Sequence, residues 1–120
     1  MKSFISNTSA LAFGEFYMLF LQISTHPPES CPMHNAKAMK AYKDIMAKPD
    51  SYWMKKYGVK MIGGWVAIPE HTQVMVWDAP NMEALMKAGM EPEMMAWFGY
   101  NTSQIMPVMT IEESAKLFMK

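Results

Sequence analysis

The sequence predicts an α+β domain, and three observations predict it. Four short stretches, at 17–25, 59–68, 72–78 and 104–109, are apolar and rich in aromatic and β-branched residues, as strands are. Stretches with helical spacing of apolar residues lie between and after them. Two of the strand-like stretches are parted only by Pro69-Glu70-His71, which makes them an antiparallel hairpin. A length of 120 residues leaves room for one domain, and its apolar core has little margin.

Residues 1–16 read as an N-terminal arm, with Met18 as an alternative start, and 17–120 as the single domain. In the first strand, YMLFLQIST, Leu19, Leu21 and Ile23 share one face, and Phe20 and Gln22 the other. Pro27 and Pro28 stiffen the following loop, and a helix is expected to open near Pro32, a favoured first-turn residue. Ala36, Met39, Tyr42 and Met46 form its apolar stripe, and Pro49 breaks it. Asp50 can cap a further turn or two through Tyr57, which Gly58 stops. Gly63-Gly64 at the centre of the second strand suggests a bulge or a close approach to the backbone. The third strand spans Thr72–Asp78. Asn81 can cap a helix to about Gly89, and another piece runs from Pro92 to near Gly99. In the fourth strand, Pro107 is tolerated only at an edge or bulge. Thr110-Ile-Glu-Glu113 is a capping box that opens a terminal helix, Ile111–Lys120.

The order β-α-β-β-α-β plus a C-terminal helix is that of the ferredoxin-like split βαβ unit, an antiparallel sheet with two helices on one face. The other face also needs cover. Trp65, Trp77, Phe20 and several methionines are too many for solvent, and a second copy of the chain is the simplest cover.

Charge narrows the function. All 11 basic residues are lysines and balance 11 acids, which argues against a binder of nucleic acid or of an anionic membrane. Without arginine, the bidentate fork that usually holds phosphate is absent. The apolar run 10–23 is too short for a bilayer and carries Glu15 and Gln22, and residues 3–9 are too polar for a signal core. The chain therefore reads as soluble and cytoplasmic. Its 16 methionines suit an adaptable interior, and are also soft ligands for Cu(I). Met82, Met86, Met90 and Met94 recur every four residues, which core or dimer-interface packing explains.

The stretch HPPESCPMHN holds the single cysteine and two of the three histidines. Cys31 and His34 are three apart at the expected helix start, near enough to share a metal or a proton. Helix N–H groups there would favour thiolate. His26 could fold back as a third ligand, and the set would suit zinc or copper. The opposing reading leaves Cys31 as a small buried apolar residue, with Ser30 or Cys31 capping the helix and His34 on the surface. His71 joins this stretch only if the hairpin tip approaches the first helix. Otherwise it is a solvated turn residue. Trp65 and Trp77, taken as sharing a face, are candidate pocket walls with Phe20, Trp97, Phe98 and Tyr100, and Asn35 could add a polar contact. Plain packing explains the same aromatics. There is no phosphate loop, GxSxG, HExxH or close pair of strand carboxylates.

The segments MLFLQIST, GVKMIGGW, VWDAPNMEAL and QIMPVMTIEES resemble the dimeric α/β-barrel superfamily, and more narrowly its small uncharacterised DUF3303-like members. The resemblance covers about residues 17–118. It implies a homodimer with a cavity in each protomer between sheet and helices. Across the superfamily such cavities host monooxygenases, haem-degrading enzymes, lactone isomerases and plain ligand binders, and fold does not choose among them. The leading expectation is a homodimeric barrel binding a small apolar ligand or a soft metal near Cys31 and His34. The alternative is a small enzyme: a cofactor-independent monooxygenase or isomerase, or a thiol-dependent redox enzyme with Cys31 as nucleophile and His34 as its base. A structural subunit of a larger assembly is a third.

Overall fold

The computed structural model describes residues 17–119, so the expected arm at 1–16 lies outside the described residues. The elements are β1 (Met18–Thr25), α1 (Ala36–Met46), α2 (Asp50–Tyr57), β2 (Lys60–Ala67), β3 (Thr72–Ala79), α3 (Met82–Gly89), α4 (Pro92–Phe98), β4 (Thr102–Val108) and α5 (Ile111–Phe118). The fold is α+β, with one antiparallel four-stranded sheet in the order β2-β3-β1-β4, consistent with a ferredoxin-like arrangement. Pro107 stands on an edge strand, the place in a sheet where a proline is tolerated. Among the described residues no helix is long and apolar enough to cross a membrane.

The first helix begins later than expected. Pro28–Ser30 forms a 3₁₀ turn, and the Cys31 carbonyl accepts from both His34 N and Asn35 N at 2.9 Å, closing a further turn. Asn35 then caps α1, its side chain accepting from Ala38 N at 3.0 Å. An asparagine at this position ends the turn by supplying an acceptor to an otherwise orphaned helix N–H. Cys31 and His34 therefore precede the helix instead of occupying its first turn.

Register decides which side chains meet. Phe20 pairs with Trp77 and Pro107, Gln22 with Met75 and Ile105, and Ser24 with Gln73 and Ser103. These rungs face the helices, and Phe20, Val59, Ala79, Leu85 and Ala88 form the core cluster there. The opposite face carries Leu19, Leu21, Ile23, Val74, Val76, Trp65 and Met106, none of them buried. The expected grouping of Trp65, Trp77 and Phe20 on one face is thus corrected. Trp65 pairs with Val74, three residues from Trp77, and an odd offset puts the two indoles on opposite sides. The bulge falls between Met61 and Gly63. The Trp65 ring lies over Gly63, where an added Cβ would sit 2.6 Å from its outer edge and push the exposed indole aside.

A buried carboxylate fastens the helices together. Glu91, at the N-terminus of α4, accepts from Tyr52 Oη at 2.6 Å, from Tyr57 Oη at 2.5 Å and from Lys48 Nζ, and Lys56 Nζ lies 3.2 Å away. Burial alone would push its carboxyl up, but these four donors outweigh burial and hold it at about 2. Lys48 also pairs with Glu93, so its charge is already matched.

Candidate functional site

Between the helix-facing side of the sheet and the helices lies a cavity of about 720 Å³. Its walls are divided by chemistry. Trp53, Trp77, Leu85 and Ile105 give an apolar surface, and Met46, Met61, Met86, Met90, Met94 and Met95 add thioethers. Gln22, Asn101 and Ser103 make a polar strip along the sheet. Gln22 is buried, yet its amide is matched on both sides. Its Oε1 accepts from Trp77 Nε1 at 2.8 Å, and its Nε2 donates to Ser24 Oγ at 3.2 Å. Ser24 Oγ and Ser103 Oγ are 2.7 Å apart. This chain fixes Trp77 and leaves Ser103, which is exposed, able to turn its hydroxyl to a bound molecule.

The methionine series is split by its position. Met94 is buried, whereas Met86 and Met90 are 52 % and 67 % exposed. The period holds for α3, but α3 ends at Gly89 and α4 starts at Pro92, so the last members no longer share one helix face.

Just past the polar end of this strip, one ring nitrogen each of His26 and His71 and the Cys31 sulfur all lie within 4.8 Å of one another. The strands bring the two histidines together. Thr25 pairs with Thr72 and with Thr102, so the next rung sets His26 between His71 and Asn101. His26 N donates to His71 O at 3.1 Å, and the two rings meet edge-on with centroids 5.2 Å apart. Trp97 abuts His26 from the helix side, its centroid at 6.2 Å. Cys31 is buried, delivered by the 3₁₀ turn through its N–H bond to Pro28 O at 3.1 Å.

A family model described as Domain of unknown function (DUF3303) matches residues 18–120. The chain belongs to that family. No curated protein matches it. The matched span of this DUF3303 protein holds every residue of the cavity and of the His26–Cys31–His71 group.

The expected site residues are thus distributed as follows. Cys31 and His26 come together, but the third member is His71, not His34. His34 is exposed and outside the group, because the turn before α1 points it away from the sheet end. Of the expected pocket residues, Trp77 lines the cavity. Phe20, 1 % exposed, belongs to the packed core instead. Trp65 lies on the open sheet face, and Asn35 serves as a helix cap, donating its own amide to Glu29 O. Phe98 lines the cavity, while Trp97 and Tyr100 pack beside α1. Gln22, Asn101 and Ser103 were not among the expected residues. Their signal was the register of β1 with β4, which no local spacing shows.

Proposed function

We propose that this DUF3303 protein binds a small, largely apolar molecule with one hydrogen-bonding end, and does so as a homodimer closed into a dimeric α/β barrel. The observation that carries the reading is the cavity: about 720 Å³, within the range of small-molecule sites, and mostly apolar, with the strip of Gln22, Asn101 and Ser103 and the charged Lys48, Asp50 and Lys60 on its lining. Thioether walls adapt to ligand shape at small cost. Ser103 would take the polar end, with the Gln22–Ser24 chain behind it fixing the strip, and the apolar body would lie under Trp77 and the methionines. The open sheet face supports the homodimer. Among the described residues nothing fully covers Leu21, Val76 or Trp65 there, and a second copy would bury a like face against them.

Gly89 provides the test. It lines the cavity, and a Cβ added there meets nothing within 4 Å. Gly89→Leu should fold as well as the parent, because glycine is the poorer helix residue, and should fill part of the space. Titration with an environment-sensitive apolar dye should show one site per chain, weakened about tenfold or more by Gly89→Leu. Equal binding by parent and variant would sink the cavity reading. Sedimentation at micromolar concentration should show a dimer that Val76→Lys dissociates. A well-folded monomeric parent would overturn the dimer.

A further inference from the structure

The hydrogen bonds around His26 fix its proton. Asn101 Nδ2 donates to Trp97 O at 2.8 Å, which orients the amide and leaves Oδ1 as the acceptor facing His26. His26 Nδ1 lies 3.2 Å from that oxygen. An amide oxygen has no hydrogen to give, so Nδ1 is the protonated nitrogen. The lone pair of the neutral ring is then on Nε2. That atom is buried and, among the described residues, has no hydrogen-bond partner. An orphaned buried acceptor is costly, and the ring that carries it stands beside a thiol and a second imidazole, so the three groups together suit an occupant.

We infer that His26, Cys31 and His71 form a transition-metal site of the zinc type, with Asn101 as the outer partner that orients His26. One thiolate and two imidazoles are the ligands that a borderline divalent ion prefers, and three protein ligands leave a fourth position open. A ligating histidine that passes its other N–H to a carbonyl is the usual arrangement at such sites, and His26 with Asn101 has that form. Metal–ligand lengths of about 2.0–2.3 Å require ligand atoms somewhat closer than the present 4.8 Å limit. Cys31 and His71 both sit on turns, whose side-chain torsions can close the gap. Binding converts the Cys31 thiol to a zinc-bound thiolate and releases its proton to solvent.

The backbone at His71 makes the test clean. His71 follows the turn Ile68–His71, closed by His71 N to Ile68 O at 3.1 Å, and has φ 50°, in the left-handed region. Glycine adopts that conformation without cost, so His71→Gly removes a ligand while keeping or improving the fold. The full chain, without an affinity tag and stripped by chelator, is titrated with Zn²⁺ by calorimetry and with Co²⁺ by absorption. Each titration is repeated on His71→Gly, Cys31→Ser, Asn101→Ala and His34→Ala, with thermal melts as the check on folding. The expected result is one ion per chain, a thiolate-to-cobalt charge-transfer band, and loss of both in His71→Gly and Cys31→Ser. Asn101→Ala should weaken binding about 10- to 100-fold, and His34→Ala should leave it unchanged. No binding by the parent, binding that survives His71→Gly or Cys31→Ser, or a loss in His34→Ala equal to theirs would each overturn the assignment. The dye titration at the cavity is independent of all of these outcomes.

Discussion

Replacing Glu91 with glutamine should make the protein less stable near neutral pH and should erase most of that difference in acid. The carboxyl is held at about 2 against an ordinary 4.5, and at about 1.4 kcal/mol per pH unit the gap corresponds to roughly 3.4 kcal/mol. Two of its donors, Lys48 and Lys56, keep side-chain exposures of 27 % and 55 %, so water competes for them. About 2–3 kcal/mol is the expected loss at pH 6. The sign follows from the direction of the shift. A carboxyl more acidic in the folded state stabilises that state above its unfolded pKa, and the contribution fades as pH falls from 4.5 toward 2. At pH 3 roughly two-fifths should remain. Urea denaturation of parent and Glu91→Gln at pH 6 and pH 3 measures the double difference, in which other titrating groups such as Asp78 cancel. A stability gap that is the same at both pH values would refute the reasoning, because the network would then act only through its neutral hydrogen bonds.

Two further substitutions test the fold that positions the site. Gly63→Ala places a Cβ 2.6 Å from the edge of the exposed Trp65 ring and should cost about 1 kcal/mol or less as the indole shifts, and adding Trp65→Ala should remove that cost in a double-mutant cycle by denaturation. Asn81→Ala removes the acceptor that holds Ala84 N at 2.8 Å and should lower stability by about 1 kcal/mol, read as a drop in melting temperature of about 4 °C.

Much of the architecture was legible because it is written in local chemistry. Gly58, with φ 72°, stops α2, Asn81 caps α3, and Thr110 with Glu113 forms the capping box of α5. Each of these acts on backbone groups within four residues, so spacing alone identifies it. The start of α1 differs from the expected one for the same kind of reason. Pro32 is an acceptable first-turn residue, but Asn35 supplies a better cap, and two local signals competed.

The sequence by itself determined most of the elements, the hairpin, an irregularity near the paired glycines and the chemistry available in HPPESCPMHN. Only the tertiary structure decided which of those groups meet. β1 lies between β3 and β4, partners far away in the chain, and their registers bring His71, His26 and Asn101 onto one rung and Gln22 beside Trp77 and Ser103. Strand register is set by burying Phe20, Ala79 and Leu85 together, a collective choice that no ten-residue window contains. That choice also turned Trp65 away from Trp77 and replaced His34 by His71 beside Cys31.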